Sequence, residues 1–370
     1  MIKRNEAINV WSYLEEYKGY EKDILLEVAK TFESGKLIFG DNLKKFEKNF
    51  SKWIGVNYGT GVGNGTDAIK IALLTLGIGR GDEVITVSNT AVPTVSAIVE
   101  TGASPVFCDV EKDGYNIASD LVESLITKKT KAIVCVHLYG HSAEIIKIKK
   151  LCLKYKIYLI EDCAQSHGAK FENKMTGSFG DFSAFSFYPT KILGGFGDGG
   201  MVLTNNKKLD KKAKMLRFYG MDTKYYSEIP NGVNSRLDEV HAAILDFKLK
   251  RLKKDIILRR KIAKVYNKEL CDTDLFLPIE KKGCYHSYYL YVVRHKNRDK
   301  IIGELKKENI NLNISYPFPI HTMPPFKKYR RSNMNNTNSY SKEIFSLPMY
   351  PSLSMLQVDK VVSSIKKIIS

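Results

Sequence analysis

One lysine of this 370-residue chain stands in a setting that suits covalent chemistry. Lys191 ends the run FSFYPTK, in which a short apolar stretch leads into a proline-bearing turn, and the glycine-rich run GGFGDGG follows at residues 194–200. An amine held in a partly desolvated pocket loses its proton more readily and can form a Schiff base with a carbonyl compound. Lysine is abundant in this chain, so the setting of Lys191, and not its residue type, makes it a candidate.

A carboxylate stands at a second favourable place. Glu161 and Asp162 come at the carboxyl end of a predicted strand, and Gln165 follows three residues later. Ligand sites in open α/β sheets lie outside the carboxyl ends of the strands, so Asp162 is where chemistry is expected. On these residues alone, a carboxylate that caps the next turn is an equally good interpretation.

A glycine-rich run, GTGVGNGTD at residues 59–67, opens directly into a predicted helix. Glycine lets backbone N–H groups approach an oxyanion, and the helix N-terminus adds about half a positive charge, so the run is a candidate phosphate site. An ordinary turn capped by Thr66 or Asp67 is the alternative. The second glycine-rich run matches G-x-G-x-x-G at residues 195–200, but it leads into a predicted strand from Met201. That order argues against a dinucleotide-binding fold, in which a helix follows.

The elements that must position these residues alternate along the first two-thirds of the chain. Short β-branched runs predict buried strands, and the stretches between them carry apolar residues at helical spacing. This alternation indicates an α/β domain with a mainly parallel sheet. The predicted strands cover residues 83–88, 105–110, 131–138 and 157–161, and the predicted helices cover residues 67–76, 94–101, 120–127 and 143–156.

The pattern changes around Arg236. A single long helix is predicted from Leu237 to about Tyr266, followed by mixed strands and helices, and the Asn-rich piece at residues 332–338 is predicted to be a loop. We therefore predict a large domain over residues 1–245 and a smaller α+β domain over residues 246–370.

The chain is strongly basic, with 58 Lys and Arg against 40 Asp and Glu and a net charge of +18. Nucleic-acid sites favour Arg, whereas most of these cations are scattered lysines, so we predict no nucleic-acid partner. The basic stretch from Lys248 to Arg260 is predicted to be the solvated face of a helix. No apolar run reaches the roughly 18 residues that cross a bilayer, and the first residues lack a signal-peptide core. These features predict a cytoplasmic protein without a membrane partner.

The order of the three motifs carries a resemblance that periodicity does not supply. Gly65-Thr66, then Asp162 with Gln165, then FSFYPTK followed by GDGG resemble the DegT/DnrJ/StrS family of nucleotide-sugar aminotransferases, which belong to the fold-type I pyridoxal-phosphate superfamily. The similarity extends from SGKLIFG and FEKNF, within residues 34–50, to YPFPIH, residues 316–321. It implies the fold of a fold-type I transferase and pyridoxal 5′-phosphate as the cofactor.

The resemblance also implies a role for each matching residue. Lys191 would bind the cofactor covalently and move a proton between it and the substrate carbon. Asp162 would keep the pyridine nitrogen protonated, so that the ring accepts electrons, and Gln165 would hydrogen-bond the ring hydroxyl. The phosphate would be held by Gly65, Thr66 and Ser186, and by Asn234 from the neighbouring subunit. The implied assembly is a homodimer with shared active sites.

The residues from Asn234 to Glu239 bear on the substrate. Their run, NSRLDE, resembles family members that aminate C3 of dTDP-linked 3-keto-6-deoxyhexoses with L-glutamate as the amino donor. Members that act at C4 of a 4-keto-6-deoxy nucleotide sugar commonly have an aromatic residue after the Asn, and C4 amination is the alternative within the family. A pyridoxal-phosphate-binding regulator without sugar turnover is the alternative of another class. The implied pathway is deoxyamino sugar biosynthesis. The O-antigen of lipopolysaccharide is an expected destination, and a secreted glycoside is the alternative.

Five further positions bear on the prediction: Tyr316, His321, Ala91, His137 and His141. Tyr316 and His321 are predicted to bind substrate, with a purely structural role for His321 as an equal alternative. Ala91 departs from the aromatic residue that the family usually places over the cofactor ring. Sugar dehydrases of the family have histidine where this chain has Lys191, so transamination is expected. His137 and His141 lie at i,i+4 spacing in a strand and loop with no third ligand evident, so no metal site is predicted.

Overall fold

The computed structural model describes residues 7–369; residues 1–6, on which the signal-peptide prediction partly rests, and Ser370 lie outside the described residues. The helices are α1 Leu14–Glu33, α2 Asp41–Ile54, α3 Gly65–Thr75, α4 Val92–Glu100, α5 Ser119–Val122, α6 Ile145–Tyr155, α7 Lys207–Leu216, α8 Glu239–Leu249, α9 Leu252–Glu269, α10 Arg298–Lys307, α11 Asn335–Glu343 and α12 Met355–Ile369. Within residues 7–369, no helix combines the length and the apolar character that crossing a bilayer requires.

The strands are β1 Ile8–Asn9, β2 Tyr58–Val62, β3 Glu83–Val87, β4 Ser104–Cys108, β5 Thr130–Val136, β6 Tyr158–Asp162, β7 Lys170–Phe171, β8 Lys174–Met175, β9 Phe182–Ser186, β10 Gly200–Thr204, β11 Met221–Thr223, β12 Tyr226–Ser227, β13 Cys284–Tyr285, β14 Tyr291–Arg294, β15 Ile310–Asn311 and β16 Ile344–Leu347. The predicted strands overlap β3 to β6, and the predicted helices overlap α3 to α6. The second glycine-rich run leads into β10, as predicted.

A seven-stranded sheet forms the centre of the fold, in the order β2-β10-β9-β6-β5-β3-β4. The strands from β9 to β4 in this order are parallel, and β10 runs antiparallel to both of its neighbours. Successive residues of β3 face opposite sides: Val84 packs in one apolar cluster and Ile85 in another. The sheet therefore has a core on each face, as the period of a strand requires. The prediction of an α/β fold with a mainly parallel sheet is confirmed.

A further apolar core lies in the C-terminal part of the chain. It contains side chains from α9, α10 and α12, such as Tyr266, Leu305 and Val361, together with Tyr291 of β14. Ile8 belongs to the same core because β1 pairs in parallel with β15. The predicted domain boundary between residues 245 and 246 stays a prediction.

The prediction of one helix from Leu237 to Tyr266 is wrong. α8 ends at Leu249 and α9 begins at Leu252, with a turn in which the Arg251 N–H donates to the Lys248 carbonyl (3.2 Å). The turn allows α8 to pack on α1 and α2 while Ile262, Ala263 and Tyr266 of α9 face the C-terminal core. Helical periodicity continues across such a turn, which is why the sequence pattern does not reveal it.

The prediction that residues 248–260 form a solvated face is wrong at two positions. Lys248 is buried; its Nζ donates to the Gly194 carbonyl (2.6 Å) and pairs with Glu16 (3.0 Å). Arg259 is also buried, and its Nη1 donates to three backbone carbonyls, that of Met349 at 2.8 Å. Acceptors from distant segments make the burial of both cations tolerable.

The predicted loop at residues 332–338 also contains the start of a helix. α11 begins at Asn335 because the Asp109 carboxylate accepts hydrogen bonds from the backbone N–H groups of Asn336 and Thr337, both at 2.9 Å. Asp109 follows β4, more than 200 residues away in sequence. A cap supplied from so far away leaves no local signal in an Asn-rich run.

Candidate active site

A cavity of about 260 Å³ lies at the carboxyl ends of β6 and β9 and at the N-terminus of α3. Six of the residues predicted from the sequence line it: Gly65, Thr66, Asp162, Gln165, Ser186 and Lys191. They come from three separate stretches of the chain. The parallel arrangement of β6 and β9 brings their ends to the same edge of the sheet, which is where ligand sites of such sheets lie.

The N-terminus of α3 forms one end of the cavity. Asn64 caps the helix through its side-chain oxygen, which accepts the Asp67 N–H (2.8 Å), and the first intrahelical bond runs from the Ala68 N–H to the Asn64 carbonyl. The N–H groups of Gly65 and Thr66 precede that bond, so they can bind an anion. A Cβ at position 65 would lie 2.8 Å from the Ser186 Cβ, so glycine is required for this close approach.

Asp162 ends β6 and is almost fully buried. Its Oδ2 accepts a hydrogen bond from the Thr94 hydroxyl (2.7 Å), and its Oδ1 accepts one from the Ala164 N–H (3.1 Å). Burial raises the pKa of the Asp162 carboxyl, while these two hydrogen bonds and the charge of Lys191 act in the opposite direction. Both hydrogen-bond donors are neutral, so a cationic group in the cavity would complete the site.

Lys191 lies in the turn after β9, where its N–H donates to the Tyr188 carbonyl (2.8 Å). The lysine is half-buried, and its Nζ lies 4.8 Å from the ring centre of Tyr289. The Tyr289 hydroxyl is 3.1 Å from the Thr190 hydroxyl, which ties the C-terminal part of the chain to this turn. The amine thus lies at the cavity beside the Tyr289 ring, and its charge acts on the Asp162 carboxyl.

Gln165 is held at both ends of its amide. Its Oε1 accepts the Tyr139 N–H (2.9 Å), and its Nε2 donates to the Tyr316 hydroxyl (2.5 Å). The Tyr316 ring also stacks on that of Tyr139, with centroids 6.2 Å apart. Tyr316 therefore reaches the cavity wall from the C-terminal region, through Gln165.

Three predicted site residues do not line the cavity of their own chain: Tyr316, Asn234 and His321. Asn234 is exposed and forms a bridge with Phe218. His321 is buried, and its Nδ1 lies 2.7 Å from the Ser88 hydroxyl at the end of β3. Burial lowers the pKa of His321. The His321 Nε2 is buried without a hydrogen-bond partner, so both roles of His321, structural and substrate-binding, stay predictions.

His137, the first residue of the i,i+4 histidine pair, has both ring nitrogens engaged in hydrogen bonds. His137 Nδ1 accepts the Ala143 N–H (3.1 Å), so Nε2 carries the proton that it donates to Glu161 (2.9 Å). Cys163 lies close enough to join them as a metal ligand, but burial raises the pKa of its thiol well above the ordinary value. A protonated thiol and a histidine with both nitrogens engaged are poor ligands. His137 and Glu161 belong to a buried hydrogen-bond network.

The sequence reading missed Thr94, Tyr289 and Asp198. Thr94 and Asp198 line the cavity, and Tyr289 faces the lysine amine. The spacing of Thr90 and Thr94 was an available signal, because i,i+4 hydroxyls at the start of a helix lie on one face; they are 3.1 Å apart. Ala91 also lines the cavity. A small side chain therefore stands where the family usually places an aromatic residue over the cofactor ring.

These residues fit pyridoxal 5′-phosphate. The free N–H groups of α3 with Ser186 suit its phosphate, the buried Asp162 suits a protonated ring nitrogen, and Lys191 supplies the amine that holds its aldehyde carbon. The cavity shape is set by glycine at position 65 and by the two strand ends. When bound, the cofactor supplies an electron-accepting ring.

Comparison with known proteins agrees with this geometry. Residues 19–366 match the model of the DegT/DnrJ/EryC1/StrS aminotransferase family. A dTDP-3-amino-3,4,6-trideoxy-α-D-glucose transaminase from Micromonospora megalomicea subsp. nigra is 46% identical over 98% of both chains. A dTDP-3-amino-3,6-dideoxy-α-D-galactopyranose transaminase from Aneurinibacillus thermoaerophilus is 39% identical, covering 94% of this chain and 96% of the relative. A UDP-N-acetyl-3-dehydro-α-D-glucosamine 3-aminotransferase from Acidithiobacillus ferrooxidans is 35% identical over 99% of both.

Solved structures give the same result. The structure of DesV from Streptomyces venezuelae superposes with a TM-score of 0.96 at 33% identity and 98% coverage of both chains. NtdA from Bacillus subtilis, solved with bound cofactor PMP, superposes with a TM-score of 0.89 at 29% identity, covering 95% of this chain and 82% of that one. The fold-type I architecture is therefore confirmed. The chain belongs to the DegT/DnrJ/EryC1/StrS aminotransferase family and is a pyridoxal-phosphate-dependent aminotransferase.

Proposed function

We propose that the enzyme converts a dTDP-linked 3-keto-6-deoxyhexose into the 3-amino sugar, with L-glutamate as the amino donor. The observation that carries the proposal is the near full-length similarity to the Micromonospora transaminase, whose name specifies a 3-amino dTDP sugar. All three relatives described above are named for nitrogen at C3, whereas two are named for dTDP and one for UDP. The carbon is therefore better supported than the nucleotide.

In this proposal each residue of the cavity has one task. The N–H groups of Gly65 and Thr66 and the Ser186 hydroxyl bind the phosphate, and Asp162 holds the proton on the ring nitrogen. Lys191 Nζ would move a proton from the glutamate carbon to the cofactor carbon in one half of the ping-pong cycle, and from the cofactor carbon to the sugar carbon in the other half. Gln165 orients the ring hydroxyl. The net charge of +18 favours the approach of a pyrophosphate-bearing sugar.

We also place Asn234 in the phosphate site of a second copy of the chain. The side chain is exposed and lies outside its own cavity, as a residue that serves a neighbouring subunit must. Large apolar side chains of α1 are exposed as well, among them Leu25, Leu26 and Phe32, and a second copy would cover them. These observations support a homodimer with shared sites.

Complementation tests the shared site. Lys191→Ala and Asn234→Ala each disable a different half of the shared site. In mixed dimers, one site carries both substitutions and the other carries neither. We expect each variant alone to be nearly inactive and the mixture to recover up to about a quarter of the wild-type activity if subunits exchange at random. An inactive mixture whose exchange is verified by mass spectrometry would refute the shared site.

A spectroscopic titration tests the reaction itself. The visible absorption of the enzyme-bound cofactor should disappear with L-glutamate and return when a dTDP-linked 3-keto-6-deoxyhexose is added. Return with a 4-keto sugar only would move the reaction to C4, and return with the UDP sugar only would change the nucleotide. Bleaching by glutamate without return by any keto sugar would favour a cofactor-binding regulator. The O-antigen destination stays a prediction.

A further inference from the structure

An acidic residue lies at the helix end where the phosphate is proposed to bind. Asp67 is the third residue of α3, after Gly65 and Thr66. A carboxylate at this helical position can turn back to the free N–H groups at the start of the helix, where negative charge is favoured. In that orientation the carboxylate would compete with a phosphate for the same donors and would repel it.

The structure holds the Asp67 carboxylate in another direction. The Ser235 hydroxyl donates to Asp67 Oδ2 (2.7 Å), and the Asn64 Nδ2 donates to the same oxygen (3.0 Å). Ser235 is itself fixed, because it is buried and its Oγ accepts the Gly63 N–H (2.9 Å). Of residues 64–67, the first three line the cavity and Asp67 does not.

We propose that Ser235 is a positioning residue that withdraws the Asp67 carboxylate from the N-terminus of α3 and leaves the N–H groups of Gly65 and Thr66 to the cofactor phosphate. The inference rests on the phosphate site assigned under the proposed function. The proposed role places Ser235 on the phosphate side of the cofactor. It is separate from the resemblance of the NSRLDE run to enzymes that aminate C3 of the sugar.

The packing around Ser235 supports this task. A Cβ placed on Gly63 would lie 3.3 Å from the Ser235 Oγ and 3.5 Å from Asp67 Oδ2, so the three residues are in close contact. A large aromatic side chain at position 235 would either displace the turn at Gly63 or have to point away from it. The residue at position 235 therefore controls the phosphate end of the site by its size as well as by its hydroxyl.

Two cofactor forms separate this role from general structural damage. Pyridoxal lacks the phosphate but keeps the ring and the aldehyde. In Ser235→Ala the Asp67 carboxylate loses its donor at 2.7 Å and keeps only Asn64 Nδ2, so it can turn toward the N–H groups. We therefore expect the dissociation constant for pyridoxal phosphate to rise about tenfold. The dissociation constant for pyridoxal should stay within about twofold of that of the wild type. Both are measured by absorption titration of cofactor-free protein.

The suppressor variant makes the test decisive. Asp67→Asn removes the competing charge, so the double variant Ser235→Ala with Asp67→Asn should bind pyridoxal phosphate within about threefold of the wild type. Ser183→Ala is the matched control, because Ser183 is a buried serine whose hydroxyl donates to the Gly177 carbonyl (2.8 Å). Its two dissociation constants should not change.

Two results would overturn the inference. One is an equal weakening of both cofactor forms in Ser235→Ala; the other is a double variant that binds no better than Ser235→Ala. Circular dichroism of the cofactor-free variants identifies any that fail to fold. Failure of the proposed function would be seen separately, as wild-type protein that binds the cofactor but aminates no sugar.

Discussion

Two adjacent carboxylates at the end of β6 face opposite sides of the sheet and differ in how their charge is satisfied. Glu161 accepts four hydrogen bonds, from His137 Nε2 and from the N–H groups of Gly177, Phe179 and Gly180, at 2.7–2.9 Å. Asp162 accepts two, from neutral donors, and borders the cavity. Saturation marks a structural carboxylate, and free capacity toward a cavity marks one that awaits a ligand.

The largest expected effect is on the side of the sheet that faces the cavity. Asp162→Asn removes the charge that holds a proton on the ring nitrogen, so turnover should fall about 10²–10³-fold. The measurement is kcat with L-glutamate and the keto sugar at saturation. The unfolding midpoint in urea should change little. An Asp162→Asn enzyme with wild-type kcat would show that the Asp162 charge is not needed for turnover.

Glu161→Gln should lower the stability of the protein and leave its turnover nearly unchanged. The amide NH₂ would face N–H donors, leaving buried groups unpaired, so the free energy of unfolding should fall by about 2–3 kcal/mol. Urea denaturation of the cofactor-free protein measures the change, and Glu33→Gln on the exposed end of α1 is the control. Folded Glu161→Gln enzyme should keep kcat within about threefold. A full loss of turnover with unchanged stability would reverse the assignment of the two carboxylates.

The hydrogen bond from the Thr94 hydroxyl to Asp162 (2.7 Å) tests how the carboxylate on the cavity side is held. Thr94→Val removes one of the two donors to Asp162, so the affinity for pyridoxal phosphate and for pyridoxal should fall equally, by about tenfold. Thr94→Ser should stay within about threefold of the wild type. Thr86→Val is the control, because the Thr86 hydroxyl donates to the Val134 carbonyl (2.9 Å) away from the cavity. Selective loss of the phosphorylated form would contradict this role.

The smallest expected effect is on the pH dependence of the cofactor-free protein. Burial raises the folded-state pKa of Asp162, so its stabilising contribution is present below the unfolded pKa and is lost as the pH rises through the folded pKa. At pH 7 the ionised carboxylate therefore destabilises the protein. Asp162→Asn should melt about 1–2 °C higher than the wild type at pH 7 and show a smaller gain near pH 4. Calorimetry between pH 4 and pH 8 measures both; a constant difference would exclude this cause.

The sequence predicted six residues that line the cavity but not Thr94, Asp198 or Tyr289. Gly65 begins α3, Asp162 ends β6 and Lys191 lies in the turn after β9, and the parallel sheet brings such positions together. Thr94 was missed because its task depends on the neighbouring strand. Asn234 lies outside the cavity of its own chain, so the role proposed for it in a second copy cannot be tested on one copy.

The two errors in helix bounds have different physical origins. The start of α11 depends on a partner far away in sequence, the Asp109 carboxylate. The break between α8 and α9 is a local turn across which helical periodicity continues. Periodicity reports which face of a segment is apolar, and it does not report a distant cap or a buried carbonyl.

The sequence by itself determined the alternation of strands and helices, the glycine at position 65 and the lysine after β9, because these depend on local pattern and residue type. Only the tertiary structure decided that Glu161 is saturated and Asp162 is not. Adjacent residues of a strand point to opposite faces, and what each carboxylate meets there comes from segments that the chain order does not place beside it.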